Sequence, residues 1–227
     1  MHIGILQAGH LPEDMAKVTG DYDTLFRRLL GGHGLDLAVW NVVDMEFPSS
    51  VNDADGWLST GSKHGAYDDL PFIPKLEDFV RQARAEQVPL VGICFGHQII
   101  AQALGGRVEK FSGGWSVGPQ TVDWGGTPMT LNSWHQDQVI EPPDGAEVLA
   151  TSDFCRYGAL LYDDWAFTVQ THPEFTATEV DFLLRTRAPG LVPEPLRAEA
   201  AANLDAPLDN ARLADRIADF FKDARHG

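Results

Sequence analysis

The sequence predicts an α/β fold: an open, mostly parallel sheet flanked by helices, with antiparallel strands in the second half and a helical C-terminal tail. Three observations carry this reading. In the first hundred residues, apolar runs of strand length alternate with segments of helical periodicity. That order makes parallel strands joined by right-handed crossovers, with helices on both faces. One of the apolar runs, 88–93, passes through Gly92-Ile93-Cys94-Phe95-Gly96 directly into a helical pattern, which reads as strand, sharp turn and helix. After Gly105-Gly106 the chain breaks into short strand-length runs punctuated by Gly, Pro and Asp, as antiparallel strands require.

Taken in order, residues 3–6 are an apolar run ending at Ala8-Gly9, a buried first strand. Residues 20–30 follow at helical spacing, with Tyr22, Leu25, Phe26, Leu29 and Leu30, and are stopped by Gly31, Gly32 and Gly34. Residues 35–43 form a second strand and 55–59 a third, which runs into the glycine loop Thr60-Gly61-Ser62-Lys63-His64-Gly65. Residues 73–86 are an amphipathic helix presenting Leu76, Phe79, Val80 and Ala83. The strand 88–93 and a helix from His97 to Leu104 come next. Strand-like runs then occupy 107–109, 118–124, 128–131, 147–150, 157–161 and 166–170, as hairpins that extend the sheet or form a small side sheet. Helical patterns fill 176–186, 196–204 and 208–225, the last with Leu213, Ile217, Phe220 and Phe221 on a core-packing face. There is no internal repeat or linker, so one domain is expected: a main body over 1–190 and a helical extension over 191–227 packed on it.

Of 227 residues, 44% are apolar and 22% charged, enough for a sizeable core and unlike a disordered chain. A formal net charge of −16 repels phosphate backbones and anionic lipid, so neither nucleic acid nor a membrane surface is an expected partner. Two cysteines, Cys94 and Cys155, form neither a disulfide framework nor a zinc site, and no metal is expected. The N-terminus lacks a signal peptide pattern, and no apolar window is long enough to span a membrane. The expected setting is a reducing cytoplasm.

Cys94 sits in a Gly-x-nucleophile-x-Gly elbow with Cys in place of Ser. The small neighbours let backbones approach, and glycine tolerates the backbone angles such a turn needs. The turn places the sulfur at a helix N-terminus, where unpaired N–H groups and the dipole favour the thiolate, the reactive form of cysteine. A buried structural thiol is the competing reading. A thiol nucleophile needs a base, and the base an orienting group. Of eight histidines, His2, His33 and His226 lie at chain ends or turns and are most simply solvated; His97 points along its own helix and is structural. His172 ends the apolar run 165–170 and is followed two residues on by Glu174, which can fix its tautomer and stabilise the imidazolium. Glu174 can equally serve only the dipole of the helix that follows.

Taken together, the two motifs resemble the class I glutamine amidotransferase family. Its elbow signature is Gly92-Ile93-Cys94-Phe95-Gly96-His97-Gln98 here, and its closing motif is Gln170-Thr171-His172-Pro173-Glu174. The resemblance covers residues 1–175, including 101–106 and the 59–61 loop; residues after 190 match nothing in it. It implies a flavodoxin-like fold, a Cys94–His172–Glu174 triad that forms a thioester with a γ-glutamyl substrate, and an oxyanion hole from the backbone N–H groups of Gly61 and Phe95. It also implies substrate contacts from Gln98 and from the 132–137 segment with Ser133, Trp134 and His135; for His135 a purely structural hydrogen bond fits as well. No organic cofactor or metal is implied.

The family usually feeds ammonia to a synthetase domain, and neither such a domain nor a P-loop is present in this sequence. Three readings follow: a hydrolase of γ-glutamyl amides, a glutaminase subunit serving a separate synthetase subunit, or a non-catalytic glutamine-binding scaffold. Lys63-His64 stands where GMP synthase-type domains often carry Gly-Pro. With Gly20-Asp21-Tyr22 and Phe47-Pro48, it is similar to stand-alone relatives that include plant-type γ-glutamyl peptidases. On that resemblance Lys63, His64 and Tyr67 are candidates to meet the leaving group; solvated loop residues are the competing reading. A Cys-type α/β hydrolase also has such an elbow, but there the acid normally precedes the histidine by many residues.

Overall fold

A computed structural model describes residues 1–224, so the end of the helix expected to reach 225, and His226, lie outside the described residues. Seven strands form the central sheet: β1 (His2–Leu6), β2 (Asp36–Trp40), β3 (Gly56–Ser59), β4 (Leu90–Ile93), β9 (Ala146–Ala150), β10 (Ala159–Tyr162) and β11 (Ala166–Val169). Their spatial order is β2-β1-β3-β4-β11-β10-β9. The first five in this order run parallel; β10 and β9 close the edge antiparallel.

Side chains alternate across this sheet with the two-residue period of a strand. Ile3, Ile5, Leu58, Val91, Ile93, Phe167 and Val169 face one core. There they meet α2 (Tyr22–Leu29), α5 (Ala177–Thr186) and α7 (Asn210–Asp223), through Leu25, Phe26, Leu183, Leu213, Ile217 and Phe221. Leu6, Trp57, Leu90 and Ala166 face the other, under α3 (Phe72–Ala85) and α4 (Phe95–Ala103). The Trp57 indole lies flat over Gly4, where any Cβ would collide with it, so a glycine in β1 makes room for the largest buried side chain of that face.

The remaining strands split as the sequence allowed. β5 (Arg107–Lys110) pairs with β8 (Asp137–Glu141), and β6 (Ser116–Trp124) with β7 (Thr127–His135), both antiparallel and outside the main sheet. Both expected outcomes therefore occur: β9 and β10 extend the sheet, and the β6–β7 hairpin and the β5–β8 pair stand beside it.

Several local expectations need correction. α1 (Glu13–Thr19) has no counterpart in the sequence reading; with only Met15 buried it lacks a readable apolar stripe. The run 35–43 stops at Trp40, because Val42–Asp44 curls into a 3₁₀ turn capped by Met45 in the left-handed region. β7 continues four residues past 131, and β8 was missed between polar neighbours. His33 is not solvated: its Nε2 lies 3.0 Å from Asp215 Oδ1 on α7. His2 Nδ1 lies 3.2 Å from Asp36 Oδ2.

α6 (Glu194–Ala202) and α7 pack on the same body. Ala200 abuts Gly118 of β6, Asp209 accepts a bond from the Thr130 N–H at 2.8 Å, and Phe221 lies against Gly56 of β3. No helix among the described residues is long and apolar enough to cross a membrane.

Candidate active site

β4 delivers Cys94 to the carboxyl edge of the sheet, where open α/β sheets bind ligands. Cys94 is the N-cap of α4 and has φ 53° and ψ −101°. A positive φ on a residue with a Cβ costs of order 1–3 kcal/mol and persists only where the surroundings impose it. Here they do. The Cys94 N–H donates to the Val169 carbonyl at 2.8 Å, and the Gly96 N–H to the Thr60 carbonyl at 3.1 Å. Of the two parts expected of the glycines, close approach holds and the special backbone angle does not. Neither Gly92 nor Gly96 has a positive φ; the unusual angle falls on the cysteine itself. Their role is space: a Cβ on Gly92 would lie 2.6 Å from the Gly96 backbone, and one on Gly96 would run into the Ser59 carbonyl.

β11, the neighbour of β4, ends three residues before His172 at the same edge. The His172 N–H donates to the Asn132 carbonyl at 2.8 Å, which ties this loop to β7. His172 Nδ1 lies 2.7 Å from Glu174 Oε1, and both side chains are buried. The imidazole stacks on Phe175 with centroids 4.2 Å apart and planes 5° apart, and Phe175 stacks on Tyr22 at 6.2 Å. Burial disfavours an imidazolium at His172, but the facing Cys94 thiolate and Glu174 carboxylate outweigh it and raise its pKa. The Gln170 amide also reaches Cys94 Sγ, at 3.6 Å.

The loop carrying Glu174 is held by residues the sequence reading passed over. Arg28 on α2 donates to the Glu174 carbonyl at 3.2 Å and to Glu179 at 3.0 Å. Asn132 and Asn210 both donate to the Phe175 carbonyl, at 3.1 and 3.0 Å. Thr176 and Glu179 form a capping box that starts α5. Only this last device has a local signal, the Thr176-Ala177-Thr178-Glu179 spacing.

Gly61 follows β3 at the same edge; a Cβ there would lie 2.9 Å from His172 Cε1 and from the Tyr22 hydroxyl, so the loop passes directly over the imidazole. Phe95 opens α4, whose first N–H groups lack intrahelical partners. Gln98 lines the cavity in front of Cys94 and is oriented by bonds to the Asp137 carbonyl (2.9 Å) and Gln170 Oε1 (3.1 Å). Trp134 and His135 line that cavity too. Ser133 is buried in register with Gly118 and does not appear on the cavity wall. Burial holds His135 neutral, with a pKa near 3; the charge on His172 acts in the same direction, and its Nδ1 lies 3.2 Å from the Asp137 carbonyl. His97 is structural as expected: fully buried, Nδ1 2.8 Å from Thr168 Oγ1, and kept neutral by burial.

The cavity measures about 740 Å³. Lys63, His64, Tyr67, Asp68, Lys110 and Asp137 make one charged end. Burial raises the Asp137 pKa, and Tyr67, itself pushed up to about 12 by burial and by Asp137, bonds to it. Asp137 is the site residue the sequence reading left unnamed. Chemically, a thiol at a helix N-terminus, facing a buried imidazole paired with a carboxylate, is equipped for nucleophilic acyl transfer. Among the described residues no group of three His, Cys, Asp or Glu side chains is arranged to hold a metal ion.

Known proteins resemble this chain over most of its length. Residues 49–186 match the family model described as glutamine amidotransferase class-I. A glutamine amidotransferase-like protein of Schizosaccharomyces pombe is 30% identical over 96% of this chain and 98% of its own. Gamma-glutamyl peptidase 4 of Arabidopsis thaliana is 30% identical over 83% of this chain and 82% of its own. A glutamine-hydrolysing GMP synthase subunit of Halobacterium salinarum is 31% identical over 70% of this chain and 87% of its own. A solved glutamine amidotransferase from Thermotoga maritima superposes with TM-score 0.78 at 16% identity, covering all of both chains, and shares the fold.

Proposed function

The chain belongs to the class I glutamine amidotransferase family, and from that premise we propose that it hydrolyses γ-glutamyl amides through a thioester on Cys94. The observation that carries this reading is the buried His172–Glu174 pair, 2.7 Å apart, facing a thiol at a strained helix N-terminus. The Cys94 sulfur attacks the γ-carbonyl carbon, and the negative charge that moves to the carbonyl oxygen meets the N–H groups of Gly61 and Phe95. His172 holds the proton taken from the thiol and gives it to the departing amine as the C–N bond breaks. Water then attacks the thioester, His172 takes a proton from it and returns it to sulfur, and the γ-carboxylate leaves. Glu174 keeps the imidazole in the orientation and tautomer both steps need. Losing one oxyanion donor costs about 2.7–4 kcal/mol in comparable sites. Gln98 and His135, both on the cavity wall, hold the amino-acid part of the substrate.

A release assay tests this. The purified chain alone is expected to liberate glutamate from glutamine and from γ-glutamyl dipeptides, and Cys94→Ala to lower kcat/KM at least 10³-fold. Turnover unchanged in Cys94→Ala would rule the mechanism out. Binding without turnover in the unaltered chain would point to a scaffold. A second reading, that the chain passes ammonia to a separate synthetase subunit, is favoured by the similarity to a GMP synthase subunit; it predicts weak glutaminase activity that rises when that partner is added. Both thiols are free, which supports a reducing, cytoplasmic setting.

A further inference from the structure

The cavity in front of Cys94 has two unlike ends on opposite faces of the sheet. The charged end is anchored on the α3–α4 side: Ala66 belongs to that core, and the His64 ring lies 5.9 Å from Phe72 of α3. It offers lysines for a carboxylate and Asp137 for an ammonium, the complement of a zwitterionic amino-acid head. The other end is mainly apolar. Leu11, Trp115, Trp134, Leu183 and Leu191 line it, with Glu13 and Arg187 also on the wall, and Trp115 and Trp134 pack towards the opposite core. The two indoles lie 6.1 Å apart, tilted by 57°, and Leu191 stands 65% exposed at the rim. A leucine left that open on the cavity rim adds little to the core.

We propose that this apolar end receives the leaving amine and selects amines that carry an aromatic or branched aliphatic side chain, with Trp115, Trp134 and Leu191 as its wall. The inference rests on the γ-glutamyl hydrolase reading and names its substrate class. Three observations carry it. With the γ-glutamyl head at the charged end and its carbonyl at Cys94, the group beyond the scissile bond has only the apolar end to enter. Ammonia leaving from glutamine needs no such wall, and a cavity of about 740 Å³ lies in the ~300–1,000 Å³ range of sites for larger ligands. The family match spans residues 49–186, which holds Cys94, His172, Glu174 and the charged end, whereas Leu11 and Leu191 lie outside it. The region matched by the family model thus holds the chemistry, the head contacts and both tryptophans, and segments outside it complete the outer wall. On this account Lys63, His64 and Tyr67 serve the glutamyl head, not the leaving group expected from sequence.

The test separates binding from turnover. Calorimetric titration of Cys94→Ser with γ-glutamylphenylalanine, γ-glutamylleucine and γ-glutamylglycine reads the wall without hydrolysis. Phenylalanine and leucine compounds are expected to bind at least tenfold tighter than the glycine compound, and the kcat/KM of the unaltered chain to follow the same order. In Trp115→Ala and Leu191→Ser that ratio should fall towards one. Equal affinities across the panel, or a ratio unmoved by both substitutions, would overturn the assignment. A preserved binding preference in a chain that hydrolyses nothing would uphold the wall and sink the hydrolase reading instead. Failure of all three compounds to bind would sink both.

Discussion

The elbow around Cys94 and the loop around His172 bring two halves of one site together by opposite means. The elbow is local: strand, glycine, cysteine, glycine and helix lie between Leu90 and Ala103, and its strained φ is fixed mainly by close backbone approach. The His172 loop is held from a distance, by Arg28, Asn132 and Asn210 on three separate elements. Their histidines differ as well. His97 in the elbow helix has a hydroxyl partner and stays neutral; His172 has two anionic neighbours and favours its charge. A short motif can specify position, but the charge state of a buried group depends on what the rest of the fold puts beside it.

The most severe way to break this comparison is Glu174→Gln. The shape survives, but the charge beside His172 is lost, and kcat on a γ-glutamyl dipeptide is expected to fall by about 10²–10⁴, as when comparable triads lose their acid. A fall below threefold would mean that Glu174 serves the fold and not the imidazole.

Acid tests the neutral histidines. His97 and His135 have folded pKa values near 3, below the unfolded 6.5. Between those values the unfolded chain binds protons that the folded chain does not, so their stabilisation is complete above pH 6.5 and is lost as pH falls towards 3. From pH 7 to 5 each should cost about 2 kcal/mol. Urea unfolding at both pH values, compared through the midpoint at constant slope, reads the loss; equal midpoints would show that the two rings are not held neutral.

Gly96→Ala probes the local half alone. A methyl pressed into the Ser59 carbonyl should destabilise by about 1–3 kcal/mol and lower activity by displacing Cys94. The smallest effect belongs to the distant half. Asn210→Ala removes one of two bonds to the Phe175 carbonyl, for about 1 kcal/mol, measurable as a lower melting temperature. An equal loss from Gly96→Ala and Asn210→Ala would erase the distinction between the two regions.

The same contrast explains what was legible in the sequence. Alternating apolar runs gave the parallel strands and their helices to within a few residues, because burial on both faces leaves a continuous apolar signature. The Cys94 elbow was readable because all its parts are adjacent. β8 and α1 were not: each carries too few buried side chains to stand out from polar neighbours. Arg28, Asn132 and Asn210 were beyond reach for another reason: nothing within a few residues of any of them says that it will meet Glu174 or Phe175. Asp137 is intermediate, visible within a substrate-rim segment but given meaning only when Tyr67 is folded onto it.

One feature of the sheet also bears on how the protein is made. β4 lies between β3 and β11, and Leu90 of β4 pairs with Ala166 of β11, 76 positions later. During translation at about 5–20 residues per second, the strand that ends at Cys94 therefore emerges about 4–15 s before its second neighbour exists. For that interval one edge of β4 is an open template for other strands, and the thiol lacks the carbonyl of Val169 that receives its backbone N–H. The proposed nucleophile is thus synthesised early and assembled late, when roughly three quarters of the chain has left the ribosome.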